Sequence, residues 1–198
     1  MAARCPGRLG AVSLGEAGVV RAFFGLLVPE THRDALDSFL ARCGALAPEF
    51  RWTPASNLHL TLRFLGHVEL AQAEGIADGV AAAGPAGFEV RLGELGTFKR
   101  GRLARVVWLG LSHGARGVGA LAELVEAECV RAGLEPEGRR FNAHLTLARA
   151  RARDGSPLPA LPDPPDLPGW RASELILYRS RLGRGGSVYE PLRRVSLG

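Results

Sequence analysis

The chain has 198 residues, 46% of them hydrophobic and 23% charged, with a formal net charge of +5. That apolar content suits one well-filled core or two small lobes and excludes a chain that is disordered throughout. The positive excess favours an anionic partner, nucleic acid among them, without speaking to fold or chemistry.

Residues 1–19 carry arginines and small residues but no continuous apolar stretch, so they read as a disordered extension and not as a secretory signal. Regular patterning begins after them. Residues 21–28 form a β-rich run closed by Pro29. Leu36, Phe39, Leu40, Cys43 and Leu46 then recur at steps of three and four, one face of a helix opened by Glu30 or Thr31. Residues 50–53 and 58–65 read as a pair of strands joined around the turn-rich 54–57. An Ala-rich helix follows over about 70–83, then strands at 88–92 and 95–98 and the basic stretch Lys99, Arg100, Arg102. The second half repeats the theme: a strand at 104–111, a helix through Leu121, Leu124, Val125 and Glu128, and a strand at 144–149. A Pro-rich loop spans 156–168, and 174–178 with 188–195 makes a hairpin around Gly183, Gly185 and Gly186. The expected fold is α+β: residues 20–198 as one domain of two pseudo-symmetric lobes, about 20–103 and 104–198. Each lobe has an antiparallel sheet and helices, strands are free to be exchanged between them, and a cleft lies between.

Five histidines in 198 residues leave little room for coincidence, yet His-Leu-Thr-Leu occurs twice, at His59 and at His144. On a strand, side chains alternate, so His59, Thr61 and Arg63 share one face while Leu60 and Leu62 share the other. His144, Thr146 and Ala148 repeat this in the second lobe. Leucines packed inward leave imidazole and hydroxyl facing a cleft. Two such strands suit hydrolysis of a cyclic phosphodiester, in which one group takes a proton from water and another gives one to the departing ribose oxygen. Imidazole performs either task near neutral pH. Threonine hydroxyls hold the non-bridging oxygens, and Arg149 supplies fixed positive charge. Residue chemistry alone leaves open which histidine is acid and which is base.

The segments Asn57-Leu-His-Leu-Thr-Leu-Arg-Phe-Leu-Gly66 and Phe141-Asn-Ala-His-Leu-Thr-Leu-Ala-Arg149 resemble the two signature motifs of the 2H phosphoesterase superfamily. They are most similar to its RNA 2′,3′-cyclic phosphodiesterases, also called 2′-5′ RNA ligases. Arg21-Ala-Phe-Phe24, Arg105-Val-Val-Trp-Leu-Gly110, Leu177-Tyr178 and Tyr189-Glu-Pro-Leu192 extend the resemblance. It implies His59 as proton donor and His144 as proton acceptor, with Thr61, Thr146 and Arg149 on the phosphate and Phe64 stacked on the base of the cyclic end. Strict alternation puts Phe64 on the leucine face, so that role requires a twist or bulge. The implied activity is opening of RNA 2′,3′-cyclic ends to 2′-phosphates, tRNA fragments included, with 2′-5′ joining as the reverse reaction. Small cyclic nucleotides or 2′-5′ oligonucleotides are an alternative substrate class, and an inactive nucleotide- or RNA-binding module is the non-enzymatic alternative.

No metal or cofactor is expected, because no HExxH, His-x3-His or carboxylate cluster accompanies either motif. Cys5, Cys43 and Cys129 lack a Cys-x-x-Cys pair, which fits a reducing cytoplasm. No apolar run approaches the ~18 to 20 residues of a membrane span. A cytoplasmic monomer follows as the expectation. Trp52, Trp108 and Trp170 read as core or interlobe packing, and His32, His67 and His113 as solvent-facing.

Overall fold

The computed structural model describes residues 18–183 and 186–198. Of the extension expected over residues 1–19, residues 1–17 lie outside the described residues, and Val19 belongs to the first strand. In chain order the elements are β1 (Val19–Leu27), α1 (Glu30–Leu46), β2 (Phe50–Trp52), a short 3-10 turn (Ala55–Asn57), β3 (His59–Glu69) and α2 (Leu70–Ala82). They continue with β4 (Phe88–Arg100), β5 (Leu103–His113), α3 (Ala115–Arg131), β6 (Leu145–Ala150), β7 (Trp170–Ala172), β8 (Glu174–Gly183) and β9 (Gly186–Ser196).

The strands run in the order β7-β4-β5-β6-β3-β1-β8-β9, with β2 beside β6 and every pair antiparallel. Strands cross between the halves of the chain. β4, from the first half, pairs with β5, while the C-terminal hairpin β8–β9 adds to β1. At the middle of the sheet β3 meets β6 through the register pair Leu60–Leu145.

The helices cover one face of this sheet. Leu36, Phe39, Leu40 and Cys43 of α1 are buried as their spacing predicts, whereas Leu46, in the last turn, is 54% exposed. Phe24, Leu26, Leu60, Leu145 and Leu147 meet the helices in a single core, and burial of such side chains contributes roughly 1.5–3 kcal/mol each. A smaller apolar cluster, Phe23, Ile176 and Tyr178, sits on the opposite face.

Two strand assignments and the place of His32 also differ from expectation. The strands at 50–52 and 59–69 do not pair with each other, because the 3-10 turn carries the chain across and β2 pairs with β6. The strands at 88–92 and 95–98 are one continuous β4, bent by irregular register between Leu92 and Leu95. His32 is buried, not solvent-facing: its Nε2–H donates to the Pro168 carbonyl at 2.9 Å, and its Nδ1 faces the Thr31 hydroxyl at 3.1 Å. The imidazole thereby anchors the end of the Pro-rich loop on α1.

Two bulges set what the site strands display. Gly25 pairs with Thr61 but Phe24 pairs with Arg63, leaving Leu62 as an extra residue on β3. Likewise Trp108 pairs with Thr146 but Val107 with Ala148, leaving Leu147 extra on β6. Each bulge reverses the alternation that follows it. Arg63 therefore turns to the helix side, where its Nε meets Glu126 of α3 at 2.5 Å, and does not share a face with His59 and Thr61. Ala148 is fully buried in the main core and does not share the face of His144.

Candidate active site

Leu60 and Leu145 point to the helices, so the residues flanking them point the other way. One step either side of that pair, the antiparallel register sets His59 against Thr146 and Thr61 against His144. Two imidazoles and two hydroxyls thus meet on one face at the seam of the two halves.

Both rings are held in the same way. His59 Nδ1 lies 2.7 Å from the Asn57 carbonyl, and His144 Nδ1 lies 2.7 Å from the Asn142 carbonyl. A carbonyl only accepts, so Nδ1 carries the hydrogen in each neutral ring and Nε2 is left for the cleft. Asn57 has a second tie, as its side-chain amide donates to the Ser187 carbonyl of β9 at 2.8 Å.

The walls differ between the two sides. His59 lies 4.7 Å from the Phe23 ring, 5.0 Å edge-on to Tyr189 and 6.0 Å from Tyr178. Gly25 makes room for it: a Cβ there would stand 3.1 Å from the Leu60 carbonyl oxygen and 3.3 Å from His59 Cδ2. His144 is met edge-on by Phe98 at 5.0 Å and by Trp108 at 6.1 Å. Trp108 is accordingly a wall of the cleft and not core packing, and its ring lies over Gly96, where any Cβ would collide with it. Trp52 and Trp170 do pack against the core.

The bulges at Leu62 and Leu147 bring Phe64 and Arg149 to the cleft face. Phe64 is 49% exposed and its ring lies 5.6 Å from Phe23. Arg149 acts electrostatically on both imidazoles. Its neighbours add to the positive field: Arg51 is its register partner on β2, and Arg105 is close enough to lower its proton affinity. Among the described residues none of these three arginines has a carboxylate partner. Cations directly opposed on neighbouring strands repel, so the arrangement suits an anion placed between them.

Burial drives the His59 pKa down to about 4; the Asn57 hydrogen bond opposes this and the Arg149 charge reinforces it. The same causes lower His144. Burial raises the Tyr178 hydroxyl to about 12, so it remains a neutral phenol. Among the described residues, no group of three or more His, Cys, Asp or Glu side chains is placed to hold a metal ion. No described helix is long and apolar enough to cross a membrane.

The expected residues His59, Thr61, His144, Thr146, Phe64 and Arg149 therefore come together. Phe23, Tyr178, Tyr189, Phe98, Arg51 and Arg105 join them without having been assigned a part. The repeated Asn-x-His spacing was a visible signal for the two carbonyls that hold the rings.

Paired His-x-Thr strands meeting on an antiparallel sheet, beside an arginine that has no carboxylate partner among the described residues, define a phosphoesterase of the two-histidine class. The chain belongs to the LigT like Phosphoesterase family, whose model matches it twice, over residues 26–108 and 109–189. It is 33% identical over 178 residues to the RNA 2′,3′-cyclic phosphodiesterase of Escherichia coli K12, covering 89% of this chain and 96% of that protein. It is also 33% identical over 145 residues to the protein of the same name from Aeropyrum pernix, covering 70% and 81%. The crystal structure of E. coli LigT complexed with 3′-AMP superposes with a TM-score of 0.79 at 31% identity, covering 90% of this chain and 98% of that one. TT0787 of Thermus thermophilus superposes with a TM-score of 0.76 at 28% identity, covering 89% and 97%.

Proposed function

We propose that this protein opens 2′,3′-cyclic phosphate ends of RNA to 2′-phosphate ends, with His59 as proton donor and His144 as proton acceptor. The observation that carries this reading is the Leu60–Leu145 pairing, which centres two identically oriented imidazoles and two threonines on one cleft. In-line attack needs water and leaving oxygen on opposite sides of phosphorus, and a two-fold arrangement supplies one Nε2 to each side.

The differing walls support the assignment of roles. His59 lies deep among aromatic rings, a surrounding that suits a ribose and its base, with Phe64 as the stacking platform. His144 has the more exposed hydrogen bond and suits activation of water. Thr61 and Thr146 donate to the non-bridging oxygens, and Arg149 offsets the charge that builds on pentacoordinate phosphorus. With the 5′-hydroxyl of a second RNA end in place of water, the same in-line step breaks the P–O3′ bond, protonates O3′ and forms a 2′-5′ linkage.

The test is incubation of an oligoribonucleotide bearing a 2′,3′-cyclic end in excess EDTA, followed by phosphorus NMR of the product end. A 2′-phosphate is expected from the wild type, with loss of at least ~10²-fold in His59→Ala and in His144→Ala. A 3′-phosphate product would reverse the substrate orientation, and a metal requirement would discard the two-histidine mechanism.

A further inference from the structure

The cleft face continues past its aromatic wall. Along β1 that face runs from Gly25 through Phe23 to Arg21, whose register partner on β3 is His67. There the surface opens into a depression of about 580 Å³ lined by residues 18–21, His67 and 179–181; Ser180 shares the cleft face, while Arg179, the register partner of Ala22, and Arg181 border the depression from the other side of β8. Among the described residues no carboxylate lines it, and Glu190 stands beside it, 3.7 Å from Arg179 and 3.3 Å from Arg181. Among the described residues Arg21 has no ion-pair partner. The Arg181–Glu190 pair, with side chains 61% and 48% exposed, is of little worth and an arriving anion can displace it, whereas the mostly buried Arg179 keeps Glu190 as a partner.

We infer that this depression binds phosphates of the RNA strand upstream of the cyclic end, an inference that rests on the cyclic-phosphate reading above. Its position follows the direction a bound strand would take. The cyclic phosphate sits at Thr61, paired with Gly25, and the half-exposed Phe64 beside Phe23 takes the last base. Four residues farther along β1, about 13 Å at the rise of a strand, lies Arg21. At ~3.4 Å for each stacked nucleotide, and more when the strand is drawn out, this is the reach of about two to four nucleotides. The chemistry also fits: guanidinium forks, an imidazole and a serine hydroxyl recognise phosphate oxygens without reading bases. The aromatic step followed by a basic track is the usual arrangement for single-strand binding irrespective of sequence.

The test compares wild type with the Arg21→Ala/Arg181→Ala double variant, and with Arg21→Glu, on three substrates. These are a cyclic mononucleotide, a cyclic-ended dinucleotide and a longer cyclic-ended oligoribonucleotide, each assayed across a salt series. The double variant is expected to lower kcat/KM for the long substrate roughly tenfold, since hydrogen bonds to charged groups are the stronger class. It should also flatten the dependence of log(kcat/KM) on log salt by about 0.7 for each phosphate no longer neutralised. Arg21→Glu should act in the same direction more strongly, and the cyclic mononucleotide rate should not change. An equal loss on mononucleotide and oligonucleotide, or an unchanged salt slope, overturns the inference. Fluorescence anisotropy with a labelled oligoribonucleotide ending in a plain 3′-hydroxyl reads the same site without the chemistry. An unchanged Kd in the double variant there overturns the subsite, while failure of the wild type to open any cyclic end overturns the parent reading alone.

Discussion

Phe64 and Arg149 occupy equivalent places in the two halves: each follows its histidine by five residues, and each reaches the cleft because a bulge, at Leu62 or Leu147, reverses the strand alternation. One equivalent position carries an aromatic ring and the other a cation. The cleft is thus two-fold in backbone and one-fold in chemistry, which gives the substrate a direction.

That asymmetry predicts different kinetic losses. Arg149→Ala removes a charge-assisted donor to the transition state and should lower kcat about 10²-fold. Phe64→Ala removes a stacking platform worth ~1–3 kcal/mol and should raise KM with kcat largely kept. Steady-state kinetics on a cyclic-ended substrate separate the two, and identical patterns would contradict the assignment of roles.

The pH dependence follows from burial. His59 is held at about 4 and His144 below its ordinary value, so at neutral pH the free protein has both imidazoles neutral and the acid in short supply. The kcat/KM profile, which reports the free protein, should be a bell centred on the acid side of 6.5, the ordinary imidazole value. A bound phosphate anion favours the protonated ring, so the kcat profile should lie at higher pH. A kcat/KM bell centred above neutrality would show that the imidazoles are not desolvated as the fold implies.

The same shift has a sign for stability. Because the folded pKa of His59 is depressed, the unfolded chain binds a proton that the folded protein refuses between pH 6.5 and about 4. The resulting stability is whole above the unfolded value and is lost as pH falls through this window. Denaturant unfolding at several pH values should show a shallower acid decline for His59→Gln than for wild type, and parallel declines would refute the linkage.

Gly25→Ala should damage turnover more than folding. The new Cβ presses on the Leu60 carbonyl and on His59 Cδ2, and the carbonyl belongs to the β1–β3 ladder and cannot retreat. The imidazole gives way. A misplacement well under ~1 Å is enough for roughly a tenfold loss of kcat, whereas overpacking of this size costs about 1–3 kcal/mol of stability. Measuring kcat together with Tm decides it, and an unchanged kcat would mean that the ring position is not set by this contact.

The histidines and threonines were legible because His-Leu-Thr-Leu occurs twice in a repeated local context, and α1 because its apolar residues keep helical spacing. The faces of Arg63, Ala148 and Phe64 were not, since a bulge arises between two strands and neither strand alone announces it. His32 misled for a related reason. Its partner, the Pro168 carbonyl, lies 136 residues away, and a polar residue at a helix start ordinarily faces water. Trp108 was misplaced because indole size argues for a core, while its seat over Gly96 depends on how β4 lies against β5.

Asn57 links the aim of His59 to the last strand of the chain: its carbonyl holds the imidazole, and its amide holds Ser187, 130 residues downstream. Tyr178 and Tyr189, which wall the same ring, come from that hairpin too. During synthesis, both His-x-Thr strands emerge well before β8 and β9, yet the first histidine then lacks its tie and its wall. Pairing across so long a stretch is among the slower events of folding. The surroundings of His59 are therefore finished only when β8 and β9 have joined the sheet, after both His-x-Thr strands are already made.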